Sequence, residues 1–187
     1  MGHKQRVLFG GFCFPLPSAA GSRSTLGKHK AVRVECSLDD DKATKELGAQ
    51  LAAQSFAGLT VLLRGPLGAG KTTLADGFLS ALGAGHATSP TFVLAHRHTA
   101  GRMPVWHLDL YRLERPGLVE ELDLDQYLQA QSITLVEWPE RADVAWPADR
   151  VEVSLSIAGR MRGAAVEGFG RGCAVVAELA QQRGPVR

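Results

Sequence analysis

The sequence predicts a single α/β domain: a mostly parallel central sheet with helices on both faces and an antiparallel strand pair towards the C-terminal end. Three observations predict it. A short apolar run, Leu59-Thr60-Val61-Leu62-Leu63, leads into a glycine-rich turn at 65–70, and a helical pattern follows with Leu74, Phe78, Leu79 and Leu82 on one face. A second apolar run, Ile133-Thr134-Leu135-Val136, ends on Glu137-Trp138. Val151 to Ile157 alternates apolar and polar, and a turn over Gly159–Gly163 leads to a further extended stretch at 164–169. Continuous apolar runs mark strands buried on both faces, as in parallel sheets; strict alternation marks a strand with one exposed face.

Taken in order, residues 1–30 differ from the rest. They are basic, contain Ser, Gly and Pro, and show no strand or helix period. They read as a disordered basic tail or, by their acidic-poor bias, as a targeting segment; residues 31–187 read as the domain proper. Ala31 to Cys36 alternates and predicts a first strand. Asp39 or Asp40 can cap a helix running to about Phe56, with Leu47 and Leu51 inward. After the glycine turn, the helix over Thr72–Leu82 closes at Gly83-Ala84-Gly85. Strands are predicted over 92–98 and 104–110, separated by a polar turn at Ala100-Gly101-Arg102. An acidic helix is predicted over 117–130 with Leu118, Leu122 and Leu128 inward. The chain closes with a short helix over about Cys173–Gln182.

Gly65-Pro66-Leu67-Gly68-Ala69-Gly70-Lys71-Thr72 matches G-x-x-x-x-G-K-[ST], the phosphate-binding P-loop. Its glycines let the backbone wrap a polyphosphate so that successive N–H groups point inward. The following helix adds the positive end of its dipole. Lys71 is the expected partner of the β- and γ-phosphates, and the Thr72 hydroxyl the expected ligand of Mg²⁺. A nucleotide-hydrolysing site of this kind needs a second carboxylate at the end of a buried strand, and Glu137 has that placement. In His107-Leu108-Asp109-Leu110-Tyr111-Arg112, His107 and Asp109 share one face of a strand. Asp109 is read as functional. His107 is read first as a structural histidine, with water orientation, a proton relay or the metal shell as alternatives. Arg112 is a candidate charge stabiliser, or a partner for Glu137 or Glu140. Ser89, Pro90 and Thr91 form a candidate switch or γ-phosphate sensor, because Pro90 holds Ser89 extended and two hydroxyls flank the proline ring. Trp138 is read as core packing, and His86, His96 and His98 show no ligand spacing.

Composition narrows the partners. The formal net charge is +2, but six of the 21 basic residues and none of the 19 acidic ones fall in residues 1–34, so the body is mildly acidic. A broad basic face for nucleic acid is not expected. No apolar run approaches the ~20 residues of a membrane span. Cys13, Cys36 and Cys173 are odd in number and widely spaced, which reads as thiols in a reducing compartment.

The motifs together resemble the TsaE (YjeE) ATPases of tRNA threonylcarbamoyladenosine biosynthesis. The resemblance covers about residues 32–187. It rests on Ala43-Thr44 with Leu47-Gly48, the loop from Gly65 to Thr73, Ser89-Pro90-Thr91-Phe92, His107 to Arg112, and Leu135-Val136-Glu137-Trp138. It implies a P-loop NTPase-like fold, with ATP and Mg²⁺ as cofactors and hydrolysis that is slow without partners. It implies TsaB-like and TsaD-like partners, which install threonylcarbamoyl on the adenine beside the anticodon of tRNAs reading codons that begin with A. Such a protein is not the transferase, meets tRNA mainly through its partners, and is cytoplasmic unless residues 1–30 direct it to an organelle. By similarity, Thr44 lies near the adenine; Gly65, Gly68, Ala69, Gly70, Lys71, Thr72 and Thr73 bind the nucleotide; Thr72 and Glu137 hold Mg²⁺; and Lys71, Asp109 and Glu137 are the catalytic set. Pro66 departs from the acidic residue common at that position, and the N-terminal segment has no counterpart in the family core. Two other readings share the loop: a small-molecule or nucleotide kinase, which needs an Arg-bearing lid that is not apparent here, and a nucleotide-switched assembly module with incidental hydrolysis.

Overall fold

The computed structural model describes residues 31–87, 94–113, 123–159 and 161–183. Seven strands form one mixed sheet: β1 (Val32–Leu38), β2 (Thr60–Arg64), β3 (Ala95–His98), β4 (Val105–Asp109), β5 (Ile133–Glu137), β6 (Arg150–Ala158) and β7 (Met161–Phe169), ordered β1-β7-β6-β2-β5-β4-β3. The centre, β6-β2-β5-β4, is parallel. Antiparallel pairs close both edges: β1 on β7, β7 on β6, and β3 on β4. The expected parallel core and C-terminal antiparallel pair are both present. The first strand of the domain completes the sheet beside the last, a closure that no local pattern announces.

Alternation along each central strand divides two cores. Val61 and Leu63 of β2, Ile133 and Leu135 of β5, and Val151, Val153 and Leu155 of β6 face the helices. Leu62, Leu108 and Val136 face the other way. All three described helices pack on the first face: α1 (Asp41–Ala53), α2 (Lys71–Ala81) and α3 (Gly172–Arg183). Each contributes large side chains to that core, among them Leu47, Leu51, Leu74, Phe78 and Leu179. Full burial of one such side chain contributes about 1.5–3 kcal/mol.

Among the described residues, no α-helix lies on the second face. Among the described residues it is covered by two single-turn 3₁₀ segments, Leu124–Gln126 and Pro139–Arg141, and by the loop residues Tyr127 and Trp146, with Trp106 of β4 beneath them. The expected helix over 117–130 is not formed in its described part; residues 117–122, with Leu118 and Leu122, lie outside the described residues. Asp123 and Asp125 favour helix ends over helix interiors. The chain gains more by seating Leu124 in the second core and setting Tyr127 edge-on against Trp106 at 4.9 Å. The Tyr127 carbonyl then accepts from Thr134 Oγ1 at 2.6 Å, which steers the chain into β5.

Helix ends follow the sequence signals. Asp40 caps α1 by accepting from the Ala43 N–H at 2.6 Å. At the other end of α1, Arg102 donates to the Ala52 carbonyl at 2.8 Å, so the polar turn between β3 and β4 caps a helix distant in sequence. A cation on the last carbonyls of a helix is favourable for its dipole.

Candidate functional site

The loop after β2 folds as its glycines require. Gly65 has φ +137°, and a Cβ there would stand 2.5 Å from the Leu155 carbonyl oxygen, so the loop lies directly on β6. Gly70 is the left-handed N-cap of α2 at φ +100° and has no side-chain cap, in contrast to α1. The first amides of α2 therefore meet no capping carboxylate or hydroxyl. Such a terminus favours an anion.

Lys71 opens the helix and turns back over the loop. Its Nζ donates to the carbonyls of Gly65 at 2.7 Å and Pro66 at 2.9 Å. The same ammonium stands 3.6 Å from the centre of the Trp138 ring. Burial pushes its pKa below the usual lysine value, against the opposing pull of Glu137, Glu140 and Asp109. Trp138 was expected to be core packing. It does pack against the second core, but its backbone is left-handed at φ +58° and its ring faces the loop lysine. A left-handed backbone at a bulky residue is uncommon and clusters at functional sites.

Glu137 is 2 % exposed and both its oxygens are engaged. Thr72 Oγ1 donates to Oε2 at 2.9 Å, and His107 Nε2 lies 2.9 Å from Oε1. A carboxylate only accepts, so Nε2 carries the proton. The parallel register of β4 and β5 sets Asp109 directly beside Glu137. Asp109 Oδ1 accepts from the Tyr111 N–H at 3.0 Å. Burial raises the Asp109 pKa above the ordinary carboxylate value; the Tyr111 N–H, His107 and Lys71 lower it, and neighbouring Glu137 adds to the rise. A raised native pKa means that ionised Asp109 costs stability above that pKa, a cost relieved as pH falls through it. Asp109→Asn keeps an acceptor for Tyr111 and cannot ionise. Its melting temperature at pH 7 is expected to exceed that of the wild type, with the difference shrinking on acidification towards the ordinary carboxylate range. Thermal unfolding followed against pH checks this, and an Asn variant less stable at pH 7 would contradict it.

The structure brings together Lys71, Thr72, Glu137 and Asp109, all at the C-terminal ends of β2, β4 and β5, where open α/β sheets bind ligands. Thr44 is fully buried, with its methyl facing Gly70 and its hydroxyl bonded to the Asp40 carbonyl at 3.0 Å. Ala69 is buried under the loop, and Thr73 is half-buried in the first turn of α2. Arg112 is exposed and makes no ion pair with a described residue. The alternative pairing of Arg112 with Glu140 is taken by Arg64, at 3.5 Å. Ser89, Pro90 and Thr91 lie outside the described residues. Sequence reasoning did not find the functional setting of Trp138 or the contact from His107 to Glu137. The one signal available for the latter was the even spacing from His107 to Asp109.

The donor set fits the implied cofactors. Thr72 Oγ1 and Glu137 Oε2 are hard oxygens already within 2.9 Å of each other, which suits Mg²⁺. The uncapped terminus of α2 and the Lys71 ammonium suit a polyphosphate.

The chain is similar to several known proteins. The family model described as "Threonylcarbamoyl adenosine biosynthesis protein TsaE" matches residues 38–163. A relative from Synechocystis, named tRNA threonylcarbamoyladenosine biosynthesis protein TsaE, is 47 % identical over 113 residues, 58 % of this chain and 71 % of its own length. A relative of the same name from Bacillus subtilis is 37 % identical over 117 residues, 62 % of this chain and 73 % of its own. The crystal structure of YdiB from Bacillus subtilis superposes with a TM-score of 0.70 at 28 % identity, covering 84 % of this chain and all of that one.

Proposed function

The chain belongs to the TsaE family, and on that premise we propose that it binds ATP with Mg²⁺ at the Gly65–Thr73 loop and hydrolyses it in support of tRNA threonylcarbamoyladenosine formation. Its partners on this reading are TsaB-like and TsaD-like proteins, which perform the transfer and carry most of the tRNA surface. The observation that carries the reading is the Thr72–Glu137 hydrogen bond at the mouth of a loop with an uncapped helix behind it.

Thr72 and Glu137 would hold Mg²⁺, which when bound offsets charge on the phosphates. Lys71 exchanges its two loop carbonyls for phosphate oxygens, and its lowered pKa marks an ammonium that gains from an anion. Trp138 covers the same ammonium and keeps water from it. Glu137 is held on both oxygens before any nucleotide arrives, so its orientation costs no reorganisation during reaction. Asp109 stands beside it with Oδ1 occupied and a raised pKa, which suits a group that takes the proton of an attacking water. Among the described residues Arg64 is engaged by Glu140 and Glu152, and Arg112 is exposed. This supports turnover that stays slow until partners complete the site. No described helix is long and apolar enough to cross a membrane.

The test is complementation of a strain depleted of its own TsaE, with residues 1–30 removed and threonylcarbamoyladenosine in bulk tRNA read by mass spectrometry. The wild type is expected to restore the modification and Lys71→Ala to leave it absent. Restoration by both would remove the loop from the function, and restoration by neither, with both folded and partners matched, would remove the pathway.

A further inference from the structure

His98 and His107 lie side by side on the helix-covered face of β3 and β4. Register pairs His96 with His107 and His98 with Val105, so all three histidines point the same way. The His98 and His107 ring centres are 6.4 Å apart, with planes inclined by 34°. His98 is 8 % exposed and His107 fully buried. Each ring spends one nitrogen on a known partner. His98 Nδ1 lies 3.0 Å from the Ala84 carbonyl, which only accepts, so Nδ1 carries the proton. His107 Nε2 donates to Glu137.

The other two nitrogens, His98 Nε2 and His107 Nδ1, are buried, and neither has a hydrogen-bond partner among the described residues. In the neutral rings both are acceptors. Burial pushes the His98 pKa down against the upward pull of the Ala84 carbonyl, with smaller further lowering from His96 and His107, which favours its neutral form. Two acceptors cannot satisfy each other, and a buried acceptor left unmade costs about 1–3 kcal/mol. What satisfies both is a small neutral species with two donors. A metal ion fits less well, since no group of three His, Cys, Asp or Glu side chains that could hold one occurs among the described residues.

We propose that His98 and His107 hold one buried water between His98 Nε2 and His107 Nδ1, and that this bridge keeps His107 in the tautomer that donates to Glu137. The water donates one hydrogen to each ring. It makes His98 a positioning residue for Glu137, although it touches neither the loop nor the carboxylate. Removing the bridge leaves the Glu137 hydrogen bond as the one contact that favours Nε2–H, so a fraction of His107 carries its proton on Nδ1 and turns a lone pair towards the carboxylate. Outer partners of this kind typically change activity by about 10–100-fold. The effect on turnover rests on the ATPase reading above; the water and the tautomers do not.

The experiment uses the full chain with ¹⁵N-labelled histidines. Long-range ¹H–¹⁵N spectra are expected to show His98 protonated on Nδ1 and His107 on Nε2, with cross-relaxation from a long-lived water to both rings. His98→Phe removes the acceptor. It is expected to shift His107 away from the pure Nε2–H form and to lower ATP turnover about tenfold or more, with nucleotide affinity unchanged. His98→Gln places a carbonyl oxygen near the lost nitrogen and is expected to recover most of that turnover. The opposite tautomers, no bound water, or a His98→Phe variant with an unchanged His107 spectrum would overturn the proposal. Should His98→Phe fail to fold, the wild-type spectra and His98→Gln still decide. The expected spectra in a wild type that hydrolyses no ATP would leave the bridge standing and count against the ATPase reading.

Discussion

Glu137→Gln is expected to give a folded protein that still binds ATP and turns it over at least about 100-fold more slowly, the range seen when a preorganised polar group is removed from a reacting centre. The folded state should survive because Gln nearly matches Glu in shape. The native carboxylate accepts from two donors, His107 Nε2 and Thr72 Oγ1. Gln offers one carbonyl oxygen to His107 and its amide to Thr72, whose hydroxyl can rotate and accept instead. No buried donor is stranded. What is lost is the negative charge beside Thr72, and with it the hard anionic oxygen that suits Mg²⁺. Glu137→Ala is the harsher change. It leaves the His107 N–H without an acceptor in a fully buried position, at a cost of about 1–3 kcal/mol. Steady-state hydrolysis and nucleotide titration on the Gln variant separate chemistry from binding. Turnover equal to wild type, with Mg²⁺ dependence intact, would take Glu137 out of the site.

Gly48→Ala is expected to lower the melting temperature by roughly 2–12 °C, from an overpacking cost of about 1–3 kcal/mol. The direction is decided by two opposed effects. In an open helix the same change would stabilise by about 1 kcal/mol, because Gly is the poorer helix former. Here a Cβ on Gly48 would stand 2.2 Å from the Leu74 carbonyl oxygen, and one on Gly77 would stand 2.1 Å from the Lys45 carbonyl oxygen. α1 and α2 cross with backbone against backbone, one glycine on each side. A methyl group cannot share that space with a carbonyl oxygen, so the helices must part. Parting them loosens Leu47, Leu51, Leu74 and Phe78 together, since all four belong to one core. It also draws the Thr44 methyl away from Gly70, so weaker nucleotide binding should accompany the lower melting temperature. Thermal unfolding and nucleotide titration on one sample measure both. A rise in melting temperature would mean that the crossing is looser than it stands here.

Parts of this protein were legible because their causes are local. The phosphate loop is one continuous stretch whose glycine positions, lysine and hydroxyl state their geometry directly, and the structure bears out strand, loop and helix in that order. The apolar runs at β2 and β5 were readable because a strand buried on both faces has no polar alternation to hide it. Where local signals conflicted with packing, packing prevailed. The acidic pattern after residue 117 suggests a helix, but its described part forms a single 3₁₀ turn, because Leu124 and Tyr127 have a hydrophobic face to cover and two aspartates weaken the helical alternative. Trp138 looked like an ordinary core residue, since neither a left-handed backbone nor a lysine 67 positions earlier in the chain can be seen from its neighbours in sequence.

The sequence alone determined the α/β class, the loop and its lysine, the strand ends that carry Asp109 and Glu137, and the family resemblance, since each is written within a few consecutive residues. The tertiary structure alone decided the strand order and the register that sets Asp109 beside Glu137. It also decided the clamp of Thr72 and His107 on that carboxylate, and the burial of His98 against His107. All but the last, which pairs neighbours across one hairpin, join residues far apart in the chain. Such contacts follow from how the sheet closes and which faces must leave water, and those are properties of the whole chain rather than of any segment of it.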